Sequence, residues 1–151
     1  MANVFDTAKN ILLTYGSMSA MKLQKLCYYS QAWSLVWDES PLFEEEFRAW
    51  ASGPVCEELF YKTQGLYLIH ADDETGGTED LKDNQRETIN KVLEYYGPHD
   101  AQWLSQLTRL EYPWKEARDG LPLVTGNNNI ITKESKTGFV KGLFCQNYRS
   151  M

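Results

Sequence analysis

Residues 23–55 place a helical pattern rich in tyrosine and tryptophan directly before a short strand pattern and a Gly-Pro turn. In the first half, apolar residues recur at every third or fourth position, which predicts a helix with one buried stripe. In the second half, the acidic run Glu44–Glu46 would suit a helix start, whereas the alternation from Phe47 to Trp50 is typical of a strand. We favour a short strand or extended arm there. The predicted core residues are Leu23, Leu26 and Trp33, with Leu107 from a later helix, while Lys22, Lys25 and Gln31 are predicted to lie off the buried stripe.

The length and composition of the chain predict one domain with a substantial core. The chain has 151 residues, of which 42% are hydrophobic and 13% are aromatic. A chain of this size can bury about 68 to 70% of its unfolded surface, and this apolar content is too high for intrinsic disorder. Because the sequence contains no internal repeat and no linker, we expect a single domain over residues 1–151.

Helix signals dominate the rest of the chain and predict a mainly α fold. Apolar residues at helical spacing are separated by capping residues and by Gly or Pro stops. The prediction is a single compact domain of about six to seven helices with a small β-hairpin or short strand element. Two helices are predicted at both ends, from Asn3 to Gly16 and from Pro54 or Val55 to about Gln64. The other helices are predicted from their starts, which are Ser17 or Ser19, Thr78 or Asp80, a position near Asp100, and Thr132. The residues predicted to face inward on the last two of these helices are Trp103, Leu104, Leu107 and Leu110, then Phe139, Val140, Leu143 and Phe144.

The charge balance argues against nucleic-acid binding. Twenty-one acidic residues against fifteen basic ones give a net charge of -6, which repels phosphates unless a local basic patch outweighs it. No apolar run approaches the ~20 residues of a membrane span, and no secretory leader pattern follows Met1. We therefore expect a cytoplasmic protein without a membrane partner.

The sequence contains few candidate catalytic or metal-binding residues. We therefore do not expect an enzyme, and we expect neither a bound metal nor another cofactor. Cys27, Cys56 and Cys145 are too widely spaced for a zinc site and suit reduced thiols. Cys56 is predicted to lie at a helix N-terminus, where a thiol pKa can fall, and the pair Glu57-Glu58 beside it is the only local candidate for acid or base chemistry. A cysteine nucleophile also needs a positioned histidine, and both histidines of the chain fall in or beside predicted loops.

Several short segments together resemble one known family. The segments are Leu23–Trp33, Ala49–Val55, Trp103–Thr108, Pro113–Arg118, and Ile130 or Ile131 before Thr132. In this combination they resemble the Panacea domain, the SocA-like antitoxin domain of bacterial toxin–antitoxin pairs and prophages, over roughly residues 12–144. One position departs from the family pattern, because the Leu-Thr pair that is often followed by histidine is followed here by Arg109. An arginine is always charged, so no role that needs a neutral imidazole is expected at this position.

The resemblance implies an antitoxin that neutralises its cognate toxin by direct protein binding. The SocA branch of the family further implies an adaptor that delivers the toxin to a bacterial AAA+ protease. The acidic composition would favour encounter with a basic toxin. The alternative is a phage-encoded accessory protein that binds and inhibits a host enzyme or defence factor, and the genes beside this one would separate the two.

The second half of the opening block is the predicted partner-binding segment, because binding hot spots are enriched in tryptophan, tyrosine and arginine. Trp50 either packs under the turn or stands exposed as an anchor. Trp114 is either a core residue or a contact, and Arg118 is predicted to be solvated. Of the neighbours Tyr28 and Tyr29, one is predicted to be buried and the other to lie nearer the surface. The predicted partner-binding residues are Phe43, Phe47, Trp50, Gly53, Pro54, Val55, Trp114 and Arg118.

Overall fold

The computed structural model describes residues 2–73, 76–118, 129–133 and 135–136. Within these ranges the chain forms six α-helices, one 3-10 turn at Ala71–Asp73 and a three-stranded antiparallel sheet, so the prediction of a mainly α domain with a small β element is confirmed. The elements are α1 (Val4–Tyr15), α2 (Ala20–Trp37), β1 (Phe47–Trp50), β2 (Gly53–Val55), α3 (Glu57–Thr63), α4 (Asp83–Tyr96), α5 (Ala101–Leu110), α6 (Tyr112–Arg118) and β3 (Ile130–Ile131).

Helix α2 is the centre of the domain. It packs against α1, α3, α4, α5 and β2, and every residue from Leu23 to Ser34 is buried. The prediction that Lys25 and Gln31 lie away from the buried face is therefore wrong, and Tyr28 and Tyr29 are both buried. Neighbours on all sides of a helix leave no face for solvent, so the polar side chains of α2 must find partners inside the protein.

Most helix boundaries follow local capping chemistry. Asn3 caps α1 in a capping box, and the N–H of Gly16 closes the helix on Leu12 O. Ser19 caps α2 and Asp100 caps α5 through side-chain oxygens that accept backbone N–H groups, as predicted. The Oγ1 of Thr132 likewise accepts the N–H of Ser135 at 3.1 Å. The interior face predicted for residues 139–144 lies outside the described residues.

Two predicted helix starts are wrong. Pro54 is not the first residue of a helix but lies in β2, opposite Ala49 of β1, where its missing N–H leaves no ladder donor unpaired. Helix α3 begins only at Glu57, after Cys56. Helix α4 begins at Asp83, later than the predicted start at Thr78 or Asp80.

The sheet has the order β2-β1-β3. Its first two strands form a hairpin in which Trp50 pairs with Gly53, so that Ala51 and Ser52 make the turn. Strand β3 pairs with the other edge of β1, placing Ile131 opposite Phe47. The hairpin therefore lies between α2 on one side and the segment around α6 and β3 on the other.

The apolar core surrounds α2. Leu23 and Leu26 have no exposed surface, and Trp33 is buried. Leu107 is only partly buried and packs at the margin of this core. Trp103 and Leu110 are exposed rather than inward-facing, which corrects half of the predicted interior face of α5.

Candidate partner-binding surface

The segment predicted to bind a partner is largely interior. Phe43 and Phe47 have no exposed surface, and Gly53, Pro54 and Val55 are all buried in β2. The packing of the hairpin onto α2 buries these five residues, and their assignment to partner binding stays a prediction. The exposed side chains of this region come from other residues.

Two glutamine side chains of α2 hold the two ends of this segment. The amide of Gln31 donates to Phe43 O at 2.9 Å and accepts the N–H of Leu42 at 2.7 Å. The amide of Gln24 donates to Cys56 O at 2.9 Å and accepts the N–H of the same residue at 2.8 Å. We call these four hydrogen bonds the α2 clamps. Because they satisfy buried backbone groups outside regular secondary structure, they fix where the hairpin begins and ends.

Lys25 lies between the clamps, under the Gly-Pro pair. Its Nζ donates to Pro54 O at 3.0 Å. Gly53 has a φ of +117°, and a Cβ there would lie 2.9 Å from both Lys25 Cε and Thr108 Oγ1. Burial, reinforced by the nearby positive charge of Arg109, lowers the pKa of Lys25 to about 7. The Gly-Pro pair is thus shaped by what packs against it from α2 and α5.

Helix α6 holds the other side of the hairpin. The indole Nε1 of Trp114 donates to Trp50 O at 2.9 Å, and Arg118 Nη1 donates to Ala49 O at 2.9 Å. The guanidinium of Arg118 also lies 5.2 Å from the centre of the Trp114 ring. Both side chains are buried, so the prediction of a solvated Arg118 is wrong. These two hydrogen bonds join α6 to the backbone of β1.

A hydrogen-bonded aromatic cluster ties α2 to α4 and to the end of α5. The ring of Tyr29 stacks on that of Tyr96 with centroids 4.0 Å apart, and Trp33 Nε1 donates to the Tyr96 hydroxyl at 3.1 Å. The Tyr29 hydroxyl donates to Glu111 Oε1. Burial raises the pKa of Glu111 to about 7, although the bond from Tyr29 acts in the opposite direction.

Trp50 alone among the eight predicted partner-binding residues keeps an appreciable exposed fraction. Its ring packs edge-on against Phe60 with centroids 5.0 Å apart, and Phe60 packs in the same manner on Tyr61 at 5.5 Å. Tyr61 is exposed. Trp50, Phe60 and Tyr61 therefore form a row of contacting aromatic rings that runs from the hairpin onto α3.

Helix α5 presents a second exposed surface that the sequence assigned to the core. Leu104, Ser105 and Thr108 face inward, which leaves an opposite face exposed to solvent. Leu110 is 69% exposed and Trp103 is 40% exposed. We call the residues Trp103, Gln106, Arg109 and Leu110 the α5 outer face.

The α5 outer face contains a shallow depression. Its volume is about 450 Å³, and the described residues that line it are Gln106, Arg109, Leu110 and Trp114. Because Trp114 also bonds to Trp50 O, the depression adjoins the hairpin. Tryptophan and arginine, here Trp103 and Arg109, are residue types enriched at protein-binding hot spots, and the exposed Leu110 adds apolar area beside them.

The described residues offer little for catalysis. Burial raises the pKa of Cys56 to about 12, with neighbouring glutamates adding to the effect, so its thiol stays protonated near neutral pH. The exposed pair Ser17 and His70 share a 2.6 Å hydrogen bond through His70 Nδ1, but Asp73 bonds to the backbone N–H of His70 and not to its ring. No group of three or more metal-binding side chains occurs in the part of the chain that the structure describes.

Comparison with known proteins gives one match. A family model described as "Antitoxin SocA-like, Panacea domain" matches residues 23–115, from the start of the buried part of α2 into α6. No curated protein and no solved structure matches. Among the described helices, none combines the length and the apolar character needed to cross a membrane.

Proposed function

Because this chain belongs to the family of SocA-like antitoxins with a Panacea domain, we propose that it is an antitoxin that neutralises a cognate toxin by binding it directly. The exposure of Trp103 and Leu110 on the α5 outer face is the observation that carries the proposal. It stands in place of the buried hairpin as the centre of the contact surface, and Trp50 adjoins it through Trp114. The proposed activity is binding without turnover.

The α5 outer face suits a protein partner in chemical terms. Leu110 and Trp103 bring apolar surface that is costly to leave in water, and Arg109 brings a planar donor group that fits carboxylates and peptide carbonyls. A rigid helix holds all three, so little conformational entropy is lost when a partner docks. The α2 clamps and the hydrogen bond from Trp114 to Trp50 O hold the neighbouring hairpin in one arrangement.

Co-expression with the toxin encoded beside this gene tests the proposal. Leu110→Ser on α5 should reduce growth rescue strongly, because a polar group would replace a buried anchor of the complex. Leu13→Ser on α1 is the matched control, since Leu13 is also an exposed helical leucine far along the chain from α5. Equal rescue by both variants would place the contact elsewhere, and absence of any rescue by the wild-type chain would overturn the proposed function.

Trp50 is tested separately. We expect Trp50→Ala to weaken rescue by more than its effect on Tm would explain. Leu107→Ala, at the core margin, serves as the comparison for loss of stability. If the two variants lose rescue in proportion to Tm, Trp50 is a structural residue only.

The fate of the bound toxin distinguishes sequestration from delivery to an AAA+ protease. In the first case the toxin accumulates as a stable complex, and in the second its half-life shortens when the antitoxin is present. A pulse-chase measurement in cells with and without the protease separates the two.

A further inference from the structure

Arg109 is a partly exposed cation without a carboxylate partner among the described residues. Its one hydrogen bond is a long one, 3.4 Å from Nε to Ser105 O, and neither of the two ion pairs found in the described part of the chain includes it. In a chain with twenty-one acidic residues, a guanidinium at a surface depression would readily meet a carboxylate if one were nearby.

None of the described residues that line the depression is acidic. Helix α5 itself contains none. Glu111, the nearest along the chain, is buried and accepts a hydrogen bond from Tyr29. On the inner side, Arg109 acts on Lys25 as a like charge. Arg109 is therefore the one charged side chain among the described residues that line the depression.

From these observations we infer that the depression beside Arg109 binds a carboxylate carried by an apolar segment of the toxin. This inference rests on the proposed function and specifies the partner's chemistry. The carboxylate pairs with the guanidinium of Arg109, while flanking apolar side chains cover Leu110 and the edge of Trp114. The net negative charge of the rest of the protein would act at longer range, where it attracts a partner whose other charged residues are mainly basic.

The residues that line the depression favour binding of a carboxylate side chain over binding of a free anion. The described residues that line the depression are an aliphatic and an aromatic side chain beside one cation and one amide. A small hydrated anion would gain the ion pair alone, which is weak at a solvated surface. A glutamate or aspartate flanked by leucine would also bury apolar area, and excluding water strengthens the ion pair.

Two synthetic peptides provide the test with the full-length protein. The probes are acetyl-Leu-Glu-Leu-amide and acetyl-Leu-Gln-Leu-amide, which differ in one charge and hardly in shape. Titration is followed by ¹⁵N NMR at the Arg109 amide and the Trp114 indole. We expect both signals to shift in a saturable manner, with affinity for the glutamate peptide about tenfold higher.

Variants show whether Arg109 is responsible. Arg109→Gln should remove the preference for the glutamate peptide, whereas Lys62→Gln, which removes an exposed charge on α3, should leave the preference intact. Arg109→Lys keeps the charge without the planar fork and should retain part of the preference. Because Arg109→Lys is the milder change, it keeps the test decisive if Arg109→Gln does not fold.

Three outcomes would overturn the inference. One is equal affinity of the wild-type protein for the two peptides, and another is signal changes confined to residues outside the α5 outer face. The third is a concentration-dependent shift of the same signals without peptide, because the occupant would then be a second copy of the chain. If the toxin complex forms and its affinity is unchanged by Arg109→Gln, this inference fails while the proposed function stands. If no complex forms, the proposed function fails whatever the peptides do.

Discussion

The hydroxyl of Tyr29, on α2, donates a 2.8 Å hydrogen bond to Glu111 Oε1, at the end of α5. Both side chains are buried, and burial raises the pKa of Glu111 to about 7. A carboxyl group is thus kept in the interior at the junction of α5 and α6, on the residue directly after Leu110 of the α5 outer face. Its ionisation links the stability of the fold to pH.

Glu111 should make the protein less stable as the pH rises towards neutrality. Its pKa is about 7 in the folded protein and ordinarily 4.5, so between these pH values the folded chain holds a proton that the unfolded chain has released. The free energy of unfolding therefore falls through this range. Glu111→Gln should remove that part of the slope, measured by urea unfolding at several pH values. An unchanged slope in the variant would show that Glu111 ionises normally in the folded state.

Lys25 should act in the opposite direction at higher pH. Burial and then Arg109 lower its pKa to about 7 from 10.5, so between these values the unfolded chain binds a proton that the folded chain does not. Stability attributable to Lys25 therefore rises with pH in this window and is lost as the pH falls towards 7. Lys25→Met should flatten this rise of the free energy of unfolding with pH. Lys62→Met, at an exposed position on α3, should preserve it. Together, Lys25 and Glu111 give a contribution to stability that is least favourable near neutral pH.

Gln31→Met should destabilise the protein by roughly 2 to 5 kcal/mol, because it leaves the buried N–H of Leu42 and C=O of Phe43 without partners. Methionine is close to glutamine in size, so lost packing should contribute little. The free energy of unfolding from denaturant titration provides the measurement. Gln106→Met on the α5 outer face is the control and should change stability by less than about 0.5 kcal/mol. Similar losses in the two variants would mean that the clamp hydrogen bonds add nothing beyond a surface substitution.

Gly53→Ala should cost more stability than Gly65→Ala. Both glycines have positive φ values, +117° and +87°, but a Cβ at Gly65 would meet no atom within 4 Å, whereas one at Gly53 would press on Lys25 and Thr108. The control thus contains the backbone strain without the steric conflict. We expect an additional loss of about 1 to 3 kcal/mol at position 53. Thermal unfolding of the two variants, side by side, gives the difference directly, and no difference would mean that the neighbouring side chains move aside freely.

Features encoded by neighbouring residues could be predicted from the sequence. The caps at Asn3, Ser19 and Asp100 depend on hydrogen bonds within one helical turn, and the strand at Phe47–Trp50 follows from alternation. The family resemblance added the class of function, which no single motif would have provided.

Features that depend on distant partners could not be predicted in this way. The helical pattern predicts that Lys25 and Gln31 face solvent, because periodicity along α2 does not reveal their buried partners in later segments, Pro54 for Lys25 and residues 42–43 for Gln31. Pro54 suits a helix start locally, and only its pairing with Ala49 places it in a strand. Trp103 and Leu110 read as core for the converse reason, because nothing in the pattern indicates that the inward side of α5 is instead built from smaller residues.

The α2 clamps also bear on protein engineering. Every clamp contact is made between α2 and the backbone of its own chain, and none involves the α5 outer face. A library that randomises Trp103, Gln106 and Leu110 would therefore leave the internal scaffold untouched. Selection from such a library could yield variants that bind other protein partners without any change to the interior.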